Sequence, residues 1–193
     1  MPDCLADAIR MCDRCRLSRK TKVVGDGPIP AQIMLIGEAP GQEEDAKGLP
    51  FVGPSGILIR EALKDAGIAD ITYITNMIKC RPPNNRTPED SEILDCRPWL
   101  YKQIAEINPA GLLLCGTTAA SLIMPDHKPG EWVFVYRMFL LDKHAITLYH
   151  PSYMLRRGVT TYNKNGSDLY AKTVFNMKRL HTIILRQASR GRR

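Results

Sequence analysis

Short apolar segments alternate with amphipathic segments along most of this chain, and this alternation most constrains its fold. The apolar segments lie at 33–36, 71–75, 111–115 and 145–149, and each is short enough to form a single strand. Helices are predicted at about 55–66, at 87–107, after residue 116 and at about 167–185, with a short hairpin within 125–143. Strands that alternate with helices in this way predict a doubly wound, largely parallel α/β sheet.

Three of the predicted strands end in polar residues that are able to do chemistry. The first runs into an acidic loop that contains Glu38 and Glu44, another ends at Asn76, and the last ends at His150. The carboxyl ends of parallel strands meet at one edge of a sheet, where ligands bind in α/β proteins. The alternatives are a solvated acidic turn and a histidine that packs against Pro151. Three polar ends that can converge favour a functional site at this edge.

Size and composition indicate a single globular domain. The chain has 193 residues, of which 44% are apolar and 24% are charged. No apolar run approaches the ~20 residues of a membrane span. The first residues lack the basic-then-apolar pattern of a signal peptide. We therefore expect a soluble, cytoplasmic protein.

The positive charge is concentrated at the C-terminal end. The whole chain carries +7, whereas the part from Arg156 onward has ten Lys or Arg residues and the single acid Asp168. A basic region of this kind is typical of proteins that bind a polyanion, and the alternative is a solvated helix face with a frayed end. We expect one domain over residues 1–186 and a flexible basic tail over 187–193.

Six cysteines occur in a chain with no secretion signal, so a disulfide framework is not expected. Cys12 and Cys15 have the spacing of a metal-binding pair. Cys80 and Cys96 lie at the two ends of a loop-plus-helix segment, so the fold could bring them to that pair. Four thiolates suit zinc or an iron–sulfur cluster, and the wide second spacing favours the cluster. Cys115 lies within a leucine run and is expected in the core. There are two alternatives. Cys4 could take the place of one of these four ligands, or the four cysteines could be unrelated reduced thiols.

Six segments of the chain together carry a family resemblance. They are residues 12–17 (CDRCRL), 37–45 (GEAPGQEED), 48–53 (GLPFVG), 74–83 (ITNMIKCRPP), Cys96 and 150–155 (HPSYML). In these residues, and in their order, the chain resembles the family 4 uracil-DNA glycosylases, the iron–sulfur branch of the uracil-DNA glycosylase superfamily. Each segment alone is weak evidence, but the set is highly specific.

The resemblance implies a fold, a cofactor and an activity. The fold is a three-layer α/β/α arrangement around a central, mainly parallel four-stranded sheet. The cofactor is a structural [4Fe-4S] cluster held by Cys12, Cys15, Cys80 and Cys96. The activity is that of a monofunctional DNA repair hydrolase, which flips uracil out of single- or double-stranded DNA and leaves an abasic site. We expect a monomer, with a replication or repair protein such as a sliding clamp or polymerase as a possible partner.

The resemblance also implies roles for residues of the uracil site. Asn76 would read the Watson–Crick edge of the flipped base, and Phe51 would stack on it. Glu38 would act in catalysis as the acid of the first motif. Ala39 and Glu44, from the same loop, would help to bind uracil. His150, in the second motif, would be the other catalytic residue.

The segment after His150 would bind DNA. In the uracil-DNA glycosylase superfamily this loop enters the minor groove, where an apolar residue fills the space left by the flipped base. Met154, with Leu155 beside it, would be this wedge, and the alternative is that both pack in the core. Ser152 lies in the same loop, and Arg156 and Arg157 would hold flanking phosphates.

Two features separate the chain from other branches of the superfamily, and two rival functions are alternatives to uracil excision. The loop at 81–88 has no histidine, which disfavours the branch that forms a covalent link to DNA, and Glu38 disfavours the branch with an apolar residue there. Ala39 replaces a second glycine of the turn. The main rival function is a non-catalytic iron–sulfur DNA-binding module associated with a DNA polymerase. A cysteine-based redox protein explains neither Asn76 nor the segment around His150.

Overall fold

A computed structural model of the chain describes residues 4–123, 135–138 and 143–190. Its five strands form one sheet. They are β1 (Ile33–Gly37), β2 (Thr72–Asn76), β3 (Gly111–Cys115), β4 (Val135–Met138) and β5 (Lys143–Leu148). The described helices are α1 (Leu5–Arg10), α2 (Gln42–Lys47), α3 (Pro54–Asp65), α4 (Asp90–Ile107), α5 (Thr117–Ile123), α6 (Pro151–Arg156) and α7 (Asp168–Arg190).

The strand order is β2-β1-β3-β5-β4. The first four strands in this order are parallel, and β4 pairs antiparallel with β5 at the edge. The predicted parallel four-stranded sheet is therefore confirmed. The antiparallel edge strand falls within the segment predicted to form a hairpin, and the rest of that segment lies outside the described residues.

Two apolar layers cover the two faces of the sheet. On one face Ile33 and Leu35 of β1 pack in a core cluster with residues of α3, α6 and α7. On the other face Met34 and Ile36 pack in a cluster that includes Leu100 of α4 and a residue of α5. Successive strand residues point to opposite faces, so a continuous apolar run such as that of β1 fits a strand covered on both sides. The predicted three-layer α/β/α architecture is confirmed.

The strand register places the polar strand ends side by side. Gly37 at the end of β1 pairs with Asn76 at the end of β2, and Cys115 at the end of β3 pairs with Leu148 at the end of β5. The residues that follow these strand ends therefore emerge at one edge of the sheet. This carboxyl edge is the place where the sequence predicts a site.

Two helix boundaries differ from the sequence-based expectations. α4 begins at Asp90 with Glu89 as its N-cap, two residues after the predicted proline start, because Glu92 folds back and accepts a hydrogen bond from the Glu89 N–H. α7 continues to Arg190 instead of ending near residue 185, so residues 187–190 form its last turn. No helix within the described ranges is long and apolar enough to cross a membrane.

Candidate active site

A cleft of about 810 Å³ opens at the carboxyl edge of the sheet. Four loops line it, those that follow β1, β2, β3 and β5. Of the residues that the sequence predicts for the site, the ones that line this cleft are Glu38, Ala39, Glu44, Phe51, Asn76, His150, Ser152 and Arg156. The structure thus brings together all six residues predicted for catalysis and uracil binding.

Asn76 and Phe51 meet above the end of β1. Asn76 is only 2% exposed, and its side-chain amide makes no hydrogen bond within the described part of the chain. A Cβ atom added at Gly37 would overlap both the Asn76 Oδ1 and the Phe51 ring. Glycine at position 37 therefore allows the amide and the ring to sit against the same strand end. The donor and acceptor groups of this amide are therefore available to a ligand in the cleft.

The Phe51 backbone has a left-handed conformation, with φ at +55°. This region is unfavourable for an aromatic residue and costs about 1–3 kcal/mol. Hydrogen bonds from one side chain hold it: Arg60 Nε donates to the Phe51 carbonyl over 2.9 Å and Nη2 donates to the Pro50 carbonyl over 2.8 Å. Arg60 is itself fixed by an ion pair of 2.7 Å with Asp26. The ring position is thus set by surrounding structure.

Glu44 connects the acidic loop to the Phe51 loop. Its Oε1 accepts hydrogen bonds from the N–H groups of Val52 and Gly53, over 2.9 and 2.8 Å. Its Oε2 accepts one of 3.0 Å from the N–H of Gly41, the N-cap of α2. Three main-chain donors therefore occupy this carboxylate, which positions the loops on either side of the cleft.

Glu38 and Ala39 follow β1 directly and are half-buried. The Glu38 carbonyl accepts a hydrogen bond of 3.3 Å from the Ile78 N–H, whereas its carboxylate has no partner in the described ranges. The Ala39 side chain packs against an apolar cluster of Leu17, Ile78 and Cys80. The Glu38 carboxylate therefore remains available to a ligand in the cleft.

His150 caps the first turn of α6 with its side chain. Its Nδ1 accepts a hydrogen bond of 3.2 Å from the Ser152 N–H and lies 2.6 Å from the Ser152 Oγ. A nitrogen that accepts from a main-chain N–H carries no proton, so the proton of the neutral ring is on Nε2. Burial, and secondarily the charge of Arg156, lower the pKa of His150 from 6.5 to about 4. The ring is therefore a neutral Nε2–H donor at neutral pH.

The residues predicted for DNA binding divide into two groups. Arg156 and Arg157 are exposed, and Arg156 Nη1 donates to the Ser152 Oγ over 3.3 Å. Arg157 Nε donates to the Tyr153 hydroxyl over 3.2 Å, which holds its side chain along α6. Met154, in contrast, is 0% exposed and lies in the core cluster shared by α3 and α7.

The interpretation of Met154 as the wedge is therefore corrected. Its side chain fills the core, where its Sδ lies 3.7 Å from the Thr173 Oγ1, because the inward face of α6 includes this position. Leu155 is only partly buried against that core, so it is the apolar side chain of α6 that remains partly accessible.

Cys12, Cys15, Cys80 and Cys96 line one cavity, with Trp99 and Lys79 among its other walls. Trp99 Nε1 donates a hydrogen bond of 3.1 Å to the Cys12 Sγ. Burial raises the pKa of Cys80 to about 12, so a positive centre is needed to hold it as a thiolate.

The donor set of this cavity is four thiols, which suits zinc or an iron–sulfur cluster. Within the described ranges no three Cys, His, Asp or Glu side chains converge closely enough to hold one metal ion. Cys115 is buried in the sheet core, as predicted, and Cys4 is exposed and bonded to Asp7. Neither lines the cavity.

Sequence reasoning missed three charged residues that shape these sites. Arg60 holds the Phe51 loop, as described above. Arg86 lines the cleft and pairs with the 1% exposed Glu92 at 2.7 Å, which helps to lower the pKa of Glu92 to about 2. Lys79 is 2% exposed. Of these three residues, only Lys79 carried a signal in the sequence, because it is a lysine inside the apolar run 77–80.

Comparisons with known proteins agree with this geometry. A model of the "Uracil DNA glycosylase superfamily" matches residues 24–172. The type-4 uracil-DNA glycosylase of Thermotoga maritima is 39% identical over 164 residues, which cover 79% of this chain and 82% of that protein. The type-4 uracil-DNA glycosylase of Pyrobaculum aerophilum is 44% identical over 165 residues, 79% of this chain and 84% of that protein.

A much weaker match bears on the polymerase-associated alternative. A DNA polymerase of Bacillus phage SP01 is 27% identical over 101 residues, which are 51% of this chain and 11% of the polymerase. The superfamily match and the extended similarity to type-4 enzymes outweigh this partial one. The chain belongs to the uracil-DNA glycosylase superfamily and, within it, to the type-4 uracil-DNA glycosylases.

Proposed function

We propose that this chain excises uracil from DNA by hydrolysing the N-glycosidic bond, leaving an abasic site. The observation that carries the proposal is the convergence of Asn76, Phe51, Glu38 and His150 on one cleft. A non-catalytic DNA-binding module has no need for a buried amide, an aromatic ring, an unpaired carboxylate and a neutral imidazole in a single pocket.

Asn76 distinguishes uracil from cytosine by its hydrogen-bonding pattern. The Nδ2 group donates to uracil O4 and Oδ1 accepts from the uracil N3–H. Cytosine presents a donor and an acceptor in the reverse order, so both contacts would become unfavourable. Because the amide is 2% exposed, a mismatched base would leave buried polar groups unpaired, which is a strong source of discrimination.

Phe51 and the surrounding loops hold the flipped base. Extrahelical placement of a base costs a few kcal/mol of stacking and pairing. Stacking on an aromatic ring whose position is already fixed by Glu44 and Arg60 returns part of this free energy. Glu44 acts here as a positioning residue, because its oxygens already accept three main-chain hydrogen bonds.

His150 and Glu38 act on the two charges that develop during bond cleavage. The electron pair of the C1′–N1 bond leaves with the base, and negative charge collects on uracil O2, to which the His150 Nε2–H donates. Positive charge develops on the sugar, where the Glu38 carboxylate stabilises it and orients the attacking water. The water oxygen bonds to C1′, and its proton is transferred to Glu38 or to solvent.

The α6 segment and the cysteine cavity support this chemistry from outside the pocket. Ser152, Leu155, Arg156 and Arg157 face the DNA, with Leu155 as the apolar group that enters the stack. Cys12, Cys15, Cys80 and Cys96 hold a [4Fe-4S] cluster. When bound, the cluster supplies iron–thiolate bonds that join the N-terminal segment to the segment after β2, and it has no step in the hydrolysis.

An excision assay tests the proposal. Purified protein is incubated with an oligonucleotide that contains one dU, and the strand is then cleaved at abasic sites with alkali. We expect cleavage at the dU position and none in matched oligonucleotides with dC or dT there. A strand that stays intact while a control glycosylase cuts it would exclude the enzyme and leave the non-catalytic module.

A further inference from the structure

Lys79 is a buried cation with no acidic partner in the described part of the chain. It is 2% exposed, and its Nζ donates to two neutral oxygens, the Thr75 Oγ1 at 2.8 Å and the Asn76 carbonyl at 2.6 Å. A buried charge is stable only when an opposite charge or strong hydrogen bonds compensate it. The two neutral acceptors satisfy hydrogen bonds but leave the net charge uncompensated.

Lys79 lines the same cavity as the four cysteines. A [4Fe-4S] cluster with four thiolate ligands carries net negative charge, whereas four protonated thiols carry none. We propose that Lys79 is the counter-ion of the cluster and joins it to the uracil-binding site through the Asn76 main chain. The proposal builds on the cluster assignment under the proposed function, and its readout does not require excision of uracil.

The reduction potential of the cluster tests this role. Lys79→Met keeps a long side chain but removes the charge, and Lys20→Met, at an exposed position outside the cavity, is the matched control. Addition of an electron to the cluster becomes less favourable without a nearby positive charge, so Lys79→Met should have a lower midpoint potential than the wild type and the control. Equal potentials in the three proteins, at equal iron content, would overturn the proposal.

A second measurement covers the case in which Lys79→Met does not assemble. The milder Lys79→Gln variant is challenged with an iron chelator, and the loss of visible absorbance is followed over time. We expect faster loss than in Lys20→Met, because the counter-charge is missing. Equal rates would contradict the role. Wild-type protein that contains zinc instead of iron would refute both this inference and the cluster assignment, while the excision assay would still stand on its own.

An independent observation concerns the exposed face of α7. After Asp168 the described part of this helix has no acidic residue, and its cations are Lys172, Lys178, Arg179, Arg186 and Arg190. Lys172 pairs with Asp168 and Lys178 lies within electrostatic range of Asp65, whereas Arg179 and Arg186 are exposed and make no ion pair within the described ranges. The helix therefore presents an unneutralised basic surface.

This basic surface starts near the cleft and runs away from it. The Thr173 Oγ1, near the start of α7, lies against Met154 of α6, whereas Leu180 and Ile184 lie against Gly111 at the opposite end of β3. The 23 residues of α7 span about 34 Å at 1.5 Å per residue. That length corresponds to about ten base pairs of duplex. We infer that this face binds the phosphate backbone of DNA that flanks the lesion.

Substrates of different length distinguish phosphate binding by α7 from catalysis in the cleft. The double variant Arg179→Gln/Arg186→Gln is compared with Lys64→Gln/Lys102→Gln, which removes two exposed charges elsewhere. On a 30-base-pair duplex with a central dU, the α7 variant should raise KM about tenfold or more at moderate salt. On a five-nucleotide single strand, which is too short to reach α7, it should match the wild type.

Binding to undamaged duplex completes the test, because it does not depend on excision. The slope of log K against log salt should become shallower by about two in the α7 variant and stay unchanged in the control. An unchanged slope, or a defect of equal size on the short substrate, would overturn the inference. If the wild type excises no uracil but the slopes differ as expected, the proposed enzymatic function fails and the α7 surface stands.

Discussion

The Glu44 Oε1 accepts a hydrogen bond of 2.8 Å from the Gly53 N–H, and this contact joins the acidic loop after β1 to the loop that carries Phe51. Glu44→Gln replaces one acceptor oxygen by a donor that faces main-chain N–H groups. We expect a loss of about 1–3 kcal/mol in the free energy of unfolding, together with a lower kcat/KM. Chemical denaturation and single-turnover excision would measure the two effects.

Glu43→Gln is the matched control for that substitution. Glu43 is exposed in the same helix turn, and it forms an ion pair of 3.3 Å with Lys47. It should leave stability and activity close to the wild type. An activity loss in Glu44→Gln without any change in stability would indicate direct contact with uracil, as the sequence alone suggests, in place of the positioning role.

Asn76→Ala should abolish uracil recognition and leave the fold intact. The side-chain amide makes no hydrogen bond to described residues, so its removal costs little stability. We expect kcat/KM for dU to fall about a hundredfold or more. The melting temperature and the visible absorbance of the protein serve as controls. Excision near the wild-type rate would show that another residue reads the base.

His150 should make stability depend on pH in a defined window. Its pKa is 6.5 ordinarily and about 4 in the folded protein. Between these values the unfolded chain binds more protons, so stability falls as the pH is lowered through the window. His150→Gln should lose this part of the dependence, whereas His181→Gln, on α7, should retain it. Urea denaturation of the three proteins from about pH 7 to pH 4 measures the difference. Identical profiles would contradict the shifted pKa.

Substitution of single cysteines should separate ligands from other thiols. We expect iron and broad absorbance near ~400 nm in the wild type. Cys96→Ser should lose most of both, because Cys96 lines the cavity. Cys4→Ser, at an exposed position, should keep both. A colourless wild-type protein that contains zinc would refute the cluster assignment.

Substitution of Met154 should mainly lower the stability of the protein, whereas substitution of Leu155 should mainly lower excision from duplex DNA. Met154→Ala removes a side chain that is 0% exposed in the core, so we expect a loss of about 2–5 kcal/mol in the free energy of unfolding. Leu155→Ala should lower excision from duplex DNA more than from single strands, with a smaller loss of stability. Denaturation and excision on both substrates test the pair. A duplex-specific defect confined to Met154→Ala would restore Met154 as the wedge.

The sequence predicts the sheet and the edge at which the site lies, because strand runs and the polar residues that end them are local features. Asn76 and His150 follow strands directly, so a parallel sheet alone brings them to one edge. The roles of Glu44 and Met154 depend on partners distant in the chain or on the packed face of a short helix. Neither the three main-chain donors to Glu44 nor the burial of Met154 follows from spacing.

Local sequence patterns also did not predict the buried position of Lys79 or the end of α7. From the sequence alone, Lys79 is expected to be a charge that follows a strand end. Its buried position becomes evident only once the cysteine cavity beside it is known. The C-terminal residues read as a tail because they are polar and basic, yet helix geometry extends through Arg190. Residues 191–193 lie outside the described part of the chain, so the flexible tail beyond the helix stays a prediction.

The hydrogen bond between the Ser152 N–H and His150 Nδ1 means that folding itself selects the Nε2–H form of the imidazole, which is the form that the proposed reaction requires. Both partners of the bond belong to the first turn of α6, so the fold alone sets the tautomer. For the proposed donation to the flipped base, no proton has to relocate on the ring, so little reorganisation energy is added to the barrier. An alteration that frays the first turn of α6 would therefore slow the chemistry even with every reacting group still present.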